Sequence, residues 1–421
     1  MLSMNKKISV GVAISLIAIA CTVTFVVTWT IAFNMYNNMI PVSERDEINS
    51  KMQEIDSFLR SNFLYHDEID KEKLAYGIFS GYISGAGDKN MLYMTREEYA
   101  NRLNIENGQI ITPGIKAEKD GSDYIKVVEV YSGSDAENKA VLPGDIITSV
   151  DGSPVLEIGQ DAAIKLIESG ANPKVDVVIQ REGEVIEYSL TRQPLPIVSV
   201  GSVVVNNVGF IRITDFSSAT AGQFEAELNA MNSSGESGIR ALIIDVRANS
   251  SDVYAPIPDM LGRLIGENTV AHTEHRGGLR KDFISTQDLR LLPDIPIVVL
   301  CDSGTSGAGE LFAASLKLFG GAQIVGSKTA GNSYLQETQP LKDGSAIRVT
   351  VAKIVLAGEL DYADTGLVPD YEVESAGDVS YNLETLSRAG DIEEISQVSD
   401  LQIRKAFEIL ETITTNVVED D

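Results

Sequence analysis

The spacing of apolar residues changes along this chain, and the changes predict where its parts begin and end. Residues Ile8–Phe33 form an apolar run without a charged side chain, long enough to cross a bilayer. After it, Ile48–Leu59 carries apolar residues at spacings of three and four, which is typical of a helix with one buried stripe. The two patterns predict a transmembrane helix followed by a helical region.

Short apolar runs separated by glycine turns follow between Ile111 and Arg192. The segments Ile125–Val130 and Lys174–Ile179 have the composition of strands, and Ala162–Ile167 between them is typical of an apolar helix. We therefore expect a small β-rich domain with at least one helix packed on its sheet.

Strands and helices alternate from Val208 to Glu374. Ala241–Val246 and Ile295–Leu300 are continuous apolar runs, typical of strands that are covered on both faces. Glu310–Leu318 is typical of a helix, and Asp400–Leu410 predicts a final amphipathic helix. This pattern predicts an α/β core with its site where loops leave the strand ends.

The charges around the apolar run predict its orientation. Lys6 and Lys7 precede the run and acidic residues follow it, so the N-terminus is expected in the cytoplasm and the rest of the chain outside. A cleaved signal peptide is the alternative. The long apolar core, with no small-x-small site after it, favours an uncleaved single-pass anchor in the cell membrane.

Composition excludes some functions. With 34 basic and 61 acidic residues the net charge is −27, which argues against nucleic-acid binding. Cys21 and Cys301 are not expected to pair, because Cys21 lies in the apolar run. His272 and His275 are predicted to lie in a surface loop rather than a metal site, and we expect neither a metal nor a cofactor.

The β-rich segment resembles a known peptide-binding module. Leu142–Ile147 followed by Val150–Val155 is similar to the PDZ modules fused to bacterial periplasmic and cell-surface proteases. Thr112–Ala117 stands where such modules place the loop that binds a C-terminal carboxylate, while the ligand adds a strand to the sheet. The implied peptide-binding residues are Pro113, Gly114, Ile115 and Lys116. A module that only regulates or packs remains the alternative.

A larger resemblance covers residues Ile48–Leu410, which are similar to the C-terminal processing peptidases, or tail-specific proteases. The segments that carry it are Met91–Tyr99, Val208–Ile213, Asp343–Lys353 and Gly366–Val373. The resemblance implies an α/β peptidase core with an inserted PDZ domain and an N-terminal transmembrane helix. The predicted parts are 1–42, stub and anchor; 43–108, helical region; 109–195, PDZ domain; 196–375, peptidase-like core; and 376–421, a C-terminal helical segment.

This family uses a serine nucleophile that a lysine activates, because a hydroxyl needs a base to remove its proton. The family's nucleophile segment, N-G-G-S-A-S-A-S-E, corresponds to Asp302–Glu310, which places Gly307 at the nucleophile. Its lysine segment corresponds to Val325–Gln336, which places Asn332 at the base and retains the orienting Gln336. An asparagine has no titratable nitrogen. Both catalytic positions are therefore expected to be empty.

The oxyanion region also differs from the family pattern. In place of D-L-R-x-N-P-G-G this chain has Asp245–Asp252, so that Ser250 and Ser251 replace part of the glycine turn that helps to form the oxyanion hole. Two residues could rescue the chemistry. Ser306 is adjacent to the nucleophile position, and Lys328 matches the family's other, non-catalytic lysine.

The leading expectation is an anchored pseudoprotease that binds peptide or protein C-termini. One alternative is an active serine endopeptidase with an unusual site around Ser306. The other is a structural partner of an active paralogue, in a homo- or hetero-oligomer.

Overall fold

The computed structural model describes residues 10–37, 42–169, 172–233, 238–286, 290–292, 295–359, 361–374, 386 and 399–419. The helices are α1 Val10–Asn37, α2 Val42–Asn62, α3 Lys71–Ser84, α4 Arg96–Glu106, α5 Asp135–Asn138, α6 Val155–Ile158, α7 Gln160–Ser169, α8 Thr220–Asn232, α9 Ile257–Leu264, α10 Ala308–Gly320 and α11 Leu401–Glu419.

The strands are β1 Leu92–Met94, β2 Gln109–Thr112, β3 Ile115–Lys119, β4 Ile125–Val130, β5 Ile146–Val150, β6 Ser153–Pro154, β7 Lys174–Arg181, β8 Glu184–Thr191, β9 Gln193–Pro196, β10 Val200–Val205, β11 Val208–Ile213, β12 Ala241–Asp245, β13 Thr269–His275, β14 Arg280–Ile284, β15 Ile297–Cys301, β16 Gln323–Gly326, β17 Tyr334–Pro340, β18 Ala346–Leu356 and β19 Tyr371–Glu372.

The chain forms two compact units, Met1–Gly77 and Ile78–Asp421. In the first unit, Ile14–Ala32 of α1 is long and apolar enough to cross a bilayer. Lys6 and Lys7, on which the predicted orientation depends, lie outside the described residues. The helix is therefore consistent with an anchor by length and composition, while its orientation stays a prediction.

The second unit is built on a six-stranded sheet in the order β10-β11-β12-β15-β16-β19, parallel except for the β10–β11 pair. Every residue of β12 and β15 is buried, as their continuous apolar sequences predicted. On one face Phe224 of α8, Leu261 of α9 and Phe312 of α10 form the core. On the other face Phe407 of α11 packs against the same strands.

A second, antiparallel sheet has the order β1-β18-β13-β14, with β17 also paired to β18. It corrects one prediction, because His272 and His275 lie in strand β13 rather than in a loop. Gly277 and Gly278 have φ values of 84° and 81° and form the turn of the β13–β14 hairpin. The glycine pair thus ends the strand after the histidines instead of marking a loop around them.

The third sheet comprises β3-β4-β5-β7-β8, with β6 paired to β5. Its hydrophobic core includes Ile125, Val127, Val177 and Ile179, which confirms the two strands predicted from alternation. Strand β3 lies at the sheet edge and, among the described strands, is hydrogen-bonded to β4 alone, with α7 packed beside it. The pair β2–β9 joins this module to the rest of the second unit at both of its ends.

Candidate functional site

The turn that follows β12 lies at the carboxyl edge of the six-stranded sheet. Asn249 Nδ2 donates to the carbonyl of Ile213 at 3.0 Å, and Ser251 Oγ donates to the carbonyl of Phe216 at 3.1 Å. Ala248 in the same turn has a φ of 56°, in the left-handed region that disfavours residues with a Cβ. The turn is therefore tied to the end of β11, with one strained residue.

The turn after β15 packs on this first turn through backbone hydrogen bonds. Ser306 N donates to the carbonyl of Asn249 at 2.9 Å, and Ala308 N donates to that of Ser251 at 2.8 Å. Asp302 Oδ1 accepts from Ala248 N at 2.9 Å. Since three hydrogen bonds join the turns, neither can move without breaking contacts to the other.

Gly307, which the resemblance places at the nucleophile position, is buried with a φ of 61°. A Cβ atom built on it would lie 2.5 Å from the carbonyl oxygen of Ser251 and 3.3 Å from Tyr254 Oη. Real Cβ atoms do not approach a backbone oxygen at 2.5 Å. The space for a nucleophile's side chain is therefore taken by the oxyanion-region turn.

A buried carboxylate, Glu310 of α10, accepts hydrogen bonds from both Gly307 and Asn332. Its Oε2 accepts from Gly307 N at 3.0 Å and from Asn332 N at 2.8 Å. Its Oε1 accepts from Gly331 N at 2.7 Å and from the Thr329 hydroxyl. These four donors satisfy a fully buried carboxylate through hydrogen bonds.

Asn332 points its amide toward a different partner. Its Oδ1 accepts from Asn90 Nδ2 at 3.3 Å, in the segment before β1. Gln336 lies on β17 with its Nε2 buried, and no described residue accepts a hydrogen bond from that nitrogen. The retained glutamine thus does not orient a residue at the base position in this structure.

The two rescue residues lie near the site without forming a catalytic pair. Ser306 is half-buried on the turn before α10, and its hydroxyl makes no hydrogen bond to any residue that the structure describes. Lys328 is exposed on the loop after β16. The geometry therefore supplies Ser306 with no hydrogen-bonded base among these residues.

Sequence reasoning missed a charged network around Asp252. Asp252 Oδ1 accepts from Arg102 Nη2 of α4 at 2.6 Å, and Oδ2 accepts from Arg348 Nη1 of β18 at 2.5 Å. Arg102 Nε also donates to Glu106 at 2.7 Å. The sequence did offer one sign of this network, an aspartate at position 252 where the family pattern has glycine. Its partners could not be identified from the sequence, because Arg102 and Arg348 lie 150 and 96 positions away.

A cavity of about 470 Å³ opens between α4 and the turn after β12. Arg102 and Asp252 line it together with Ser250, Ser251 and Asp215. The cavity therefore lies beside the oxyanion region.

Two buried tyrosines, Tyr254 and Tyr362, are candidate bases because both carry a titratable hydroxyl. Burial raises the pKa of the Tyr254 hydroxyl, and the charges of Asp252 and Glu310 raise it further. Burial likewise raises the pKa of Tyr362, whose hydroxyl has no hydrogen-bond partner among the described residues. Both phenols are neutral at physiological pH and offer no charged base.

The loop at the start of β3 contains a glycine whose φ and surroundings exclude a side chain. Gly114 has a φ of 97°, and a Cβ on it would lie 2.0 Å from that of Ser134. Gly114 N donates to Thr112 Oγ1 at 3.1 Å. Ile115 is buried, whereas Lys116 is exposed with its Nζ 3.2 Å from Glu118. Glycine is thus required here, and Lys116 supplies a positive charge at the loop.

Part of the second unit is similar to a known peptidase family. Residues 207–373 match the model of Peptidase family S41. The "Probable CtpA-like serine protease" of Staphylococcus saprophyticus is 24% identical over 380 residues, covering 90% of this chain and 76% of the relative. The corresponding protein of Staphylococcus aureus is 26% identical over 370 residues, covering 87% and 73%.

Among solved structures, the photosystem II D1 C-terminal processing protease aligns with a TM-score of 0.48 and 23% identity, covering 79% of this chain and 90% of that one.

Residues 207–373, which hold most of the six-stranded sheet and the loops at its carboxyl edge, are therefore similar to Peptidase family S41. The relatives that match most of the chain are CtpA-like serine proteases. The resemblance to C-terminal processing peptidases is thereby confirmed.

Proposed function

We propose that this chain is a membrane-anchored homologue of the C-terminal processing peptidases that binds polypeptide C-termini without cleaving them. The observation that carries the proposal is the carbonyl oxygen of Ser251, 2.5 Å from where a side chain at position 307 would begin. Gly307 itself supplies no hydroxyl. A nucleophile at position 307 would therefore need both a side chain with a hydroxyl and a different path of the turn that carries the Ser251 carbonyl.

The base position supports the same conclusion. Asn332 cannot accept a proton from a serine, and its amide is hydrogen-bonded to Asn90. The amide of Ala308, directly after the nucleophile position, already donates to Ser251. In α/β-hydrolases the amide of the residue after the nucleophile donates to the oxyanion. Nucleophile, base and oxyanion donor are all absent or occupied.

Binding is assigned to the module of residues 109–195, which we interpret as a PDZ domain. Edge strand β3 has an unpaired side beside α7, where an extended peptide can add a strand. The loop at Gly114 lies at the start of that strand, and Lys116 adds a positive charge. The expected ligand is an extended polypeptide end with a free α-carboxylate.

The test of binding uses the full chain in detergent and short fluorescein-labelled peptides of randomised sequence. Peptides with a free carboxylate should bind, and the same pool with amidated C-termini should bind about tenfold more weakly, because the charge is missing. Lys116→Glu should weaken binding of the free-carboxylate pool. The matched control is Lys174→Glu, the same charge change at an exposed position of β7 in the same sheet. Equal binding of both pools would contradict the proposal.

The test of inactivity uses the same chain and the same peptides, with mass spectrometry as the readout. No cleavage is expected. The alternative, an active endopeptidase at Ser306, requires cleavage that Ser306→Ala abolishes. Such a result would overturn the pseudoprotease proposal, and binding without cleavage would support it.

A further inference from the structure

We infer that Asp252, held by Arg102 and Arg348, fixes the turn after β12 in the position that fills the nucleophile's space. These three residues are called the Asp252 clamp. The inference deepens the proposed function, on which it rests for its biological meaning. Its tests need neither a ligand nor hydrolysis, so a failure of the clamp inference can be distinguished from a failure of the proposed function.

The clamp is a two-sided attachment. Each carboxylate oxygen of Asp252 accepts from a different arginine, at 2.6 Å and 2.5 Å. The side chains of Asp252, Arg102 and Arg348 are only 16%, 22% and 18% exposed. Water screens such pairs less than it screens exposed ones, so each contact restrains the aspartate more than a surface ion pair would.

Both arginines belong to regular elements. Arg102 lies in α4, which begins with a capping box in which Thr95 accepts from Glu98 N and Glu98 accepts from Thr95 N. Arg348 lies in β18, opposite Leu92 of β1, and its Nε also donates to the carbonyl of Asn90 at 3.3 Å. The clamp therefore attaches the turn to two elements that are themselves fixed.

Asp252 is connected to the Ser251 carbonyl, which approaches position 307, by a single planar peptide unit. The carbonyl group of Ser251 and the amide nitrogen of Asp252 belong to one planar peptide unit. Fixing Asp252 therefore limits rotation of the Ser251 carbonyl, whose oxygen accepts from Ala308 N at 2.8 Å and approaches Gly307. A glycine in place of Asp252 has no side chain through which the turn could be held.

Other contacts also hold this turn, so the experiment must separate them from the clamp. Ser251 Oγ donates to Phe216, and Asn249 Nδ2 donates to Ile213. A double-mutant cycle isolates the contribution of Asp252, because independent sites give additive effects and coupled sites do not.

The cycle combines Gly307→Ala with Asp252→Asn in the full chain and follows melting by circular dichroism. Gly307→Ala should lower the melting temperature, because its Cβ meets the Ser251 carbonyl. In the Asp252→Asn background this loss should shrink by about 4 °C, since the released turn can move away. The matched control is Glu225→Gln, which breaks the 2.8 Å pair with Arg263 elsewhere. Equal losses in all three backgrounds would overturn the inference.

Hydrogen exchange provides a measurement that leaves position 307 unchanged and decides the question if the alanine variant fails to fold. Asp252→Asn should speed exchange of the Ala308 amide by about tenfold, because its acceptor is released. The Ala322 amide, bonded to Leu316 at 3.1 Å, is the internal control and should not change. Asp252→Glu keeps the charge and should leave Ala308 closer to its natural rate. Unchanged exchange at Ala308 in Asp252→Asn would refute the clamp.

Discussion

The amide of Ala308 donates a 2.8 Å hydrogen bond to the carbonyl oxygen of Ser251. Through this bond the two loops satisfy each other's polar groups beside position 307. An amide that is already bonded cannot stabilise a developing oxyanion unless the bond is first broken. The lack of cleavage that we propose therefore rests on backbone geometry as well as on the residues at positions 307 and 332.

Restoring the two family residues should not restore hydrolysis. In the Gly307→Ser, Asn332→Lys double variant the serine Cβ would meet the Ser251 carbonyl at 2.5 Å, so cleavage of the peptide pool should stay at background. Gly159→Ser is the control for folding, because Gly159 also has a positive φ of 82° but has open space around it. Melting should drop further for Gly307→Ser alone than for Gly159→Ser. Cleavage by the double variant would show that the turn moves freely.

Arg247 should be among the most sensitive positions for stability. Its guanidinium is buried between Asp245, at 2.8 Å, and Asp400, at 2.7 Å. Arg247→Met removes the guanidinium that lies between these two carboxylates and should cost about 3–5 kcal/mol of unfolding free energy, measured by urea denaturation.

The matched comparison is Arg263→Met, which removes the more exposed pair with Glu225 and should cost about 1 kcal/mol or less. A similar loss of unfolding free energy in the two variants would show that the contribution of Arg247 to stability does not depend on its burial.

Ala248→Gly should stabilise the protein. Ala248 has a φ of 56°, which costs a residue with a Cβ about 1–2 kcal/mol, while glycine loses about 0.5–1 kcal/mol of chain entropy on folding. A net gain of about 0.5–1 kcal/mol is expected in thermal melts. Ala255→Gly, at an exposed turn position without positive φ, should instead destabilise. A loss at both positions would argue against strain at Ala248.

Stability should fall at alkaline pH because of buried tyrosines. Burial raises the pKa of Tyr362 far above its usual value, so the folded state holds the phenolic proton after an unfolded chain releases it. This stabilisation is complete below about pH 10 and decreases by about 1.4 kcal/mol per pH unit above it.

Urea denaturation between pH 9 and about 11 should show a smaller decrease for Tyr362→Phe than for the natural chain. Tyr82→Phe changes an exposed tyrosine and is the control. Identical pH dependence in all three proteins would exclude Tyr362 as the cause.

The sequence predicted those elements whose pattern is local. Ile125–Val130 is a strand with the predicted bounds, and the predicted Lys174–Ile179 lies within strand β7. The apolar pattern of a strand depends on neighbours within a few positions, so a single sequence carries it. The short strand Leu92–Met94 was missed because its pairing partner, β18, lies far along the chain.

The candidate site was predictable only in part for the same reason. Resemblance placed Gly307 and Asn332, and the structure joins their amides through Glu310. The Ser251 carbonyl occupies the space that a side chain at position 307 would need. Residue types could not predict this, because it depends on the backbone paths of two turns that are far apart in sequence. Whether Lys6 and Lys7 are cytoplasmic stays a prediction.

The position of α11 has a consequence for the order in which the protein can be made. On one face of the six-stranded sheet Phe407 packs in a cluster with Phe210, Ile243 and Leu300, and Asp400 supplies a partner for buried Arg247. Both residues follow all six strands in sequence, so an emerging polypeptide carries an uncovered apolar sheet face until residues 400–410 have been synthesised. The core should therefore become protease-resistant only after α11 has emerged, and chaperones should be needed until then.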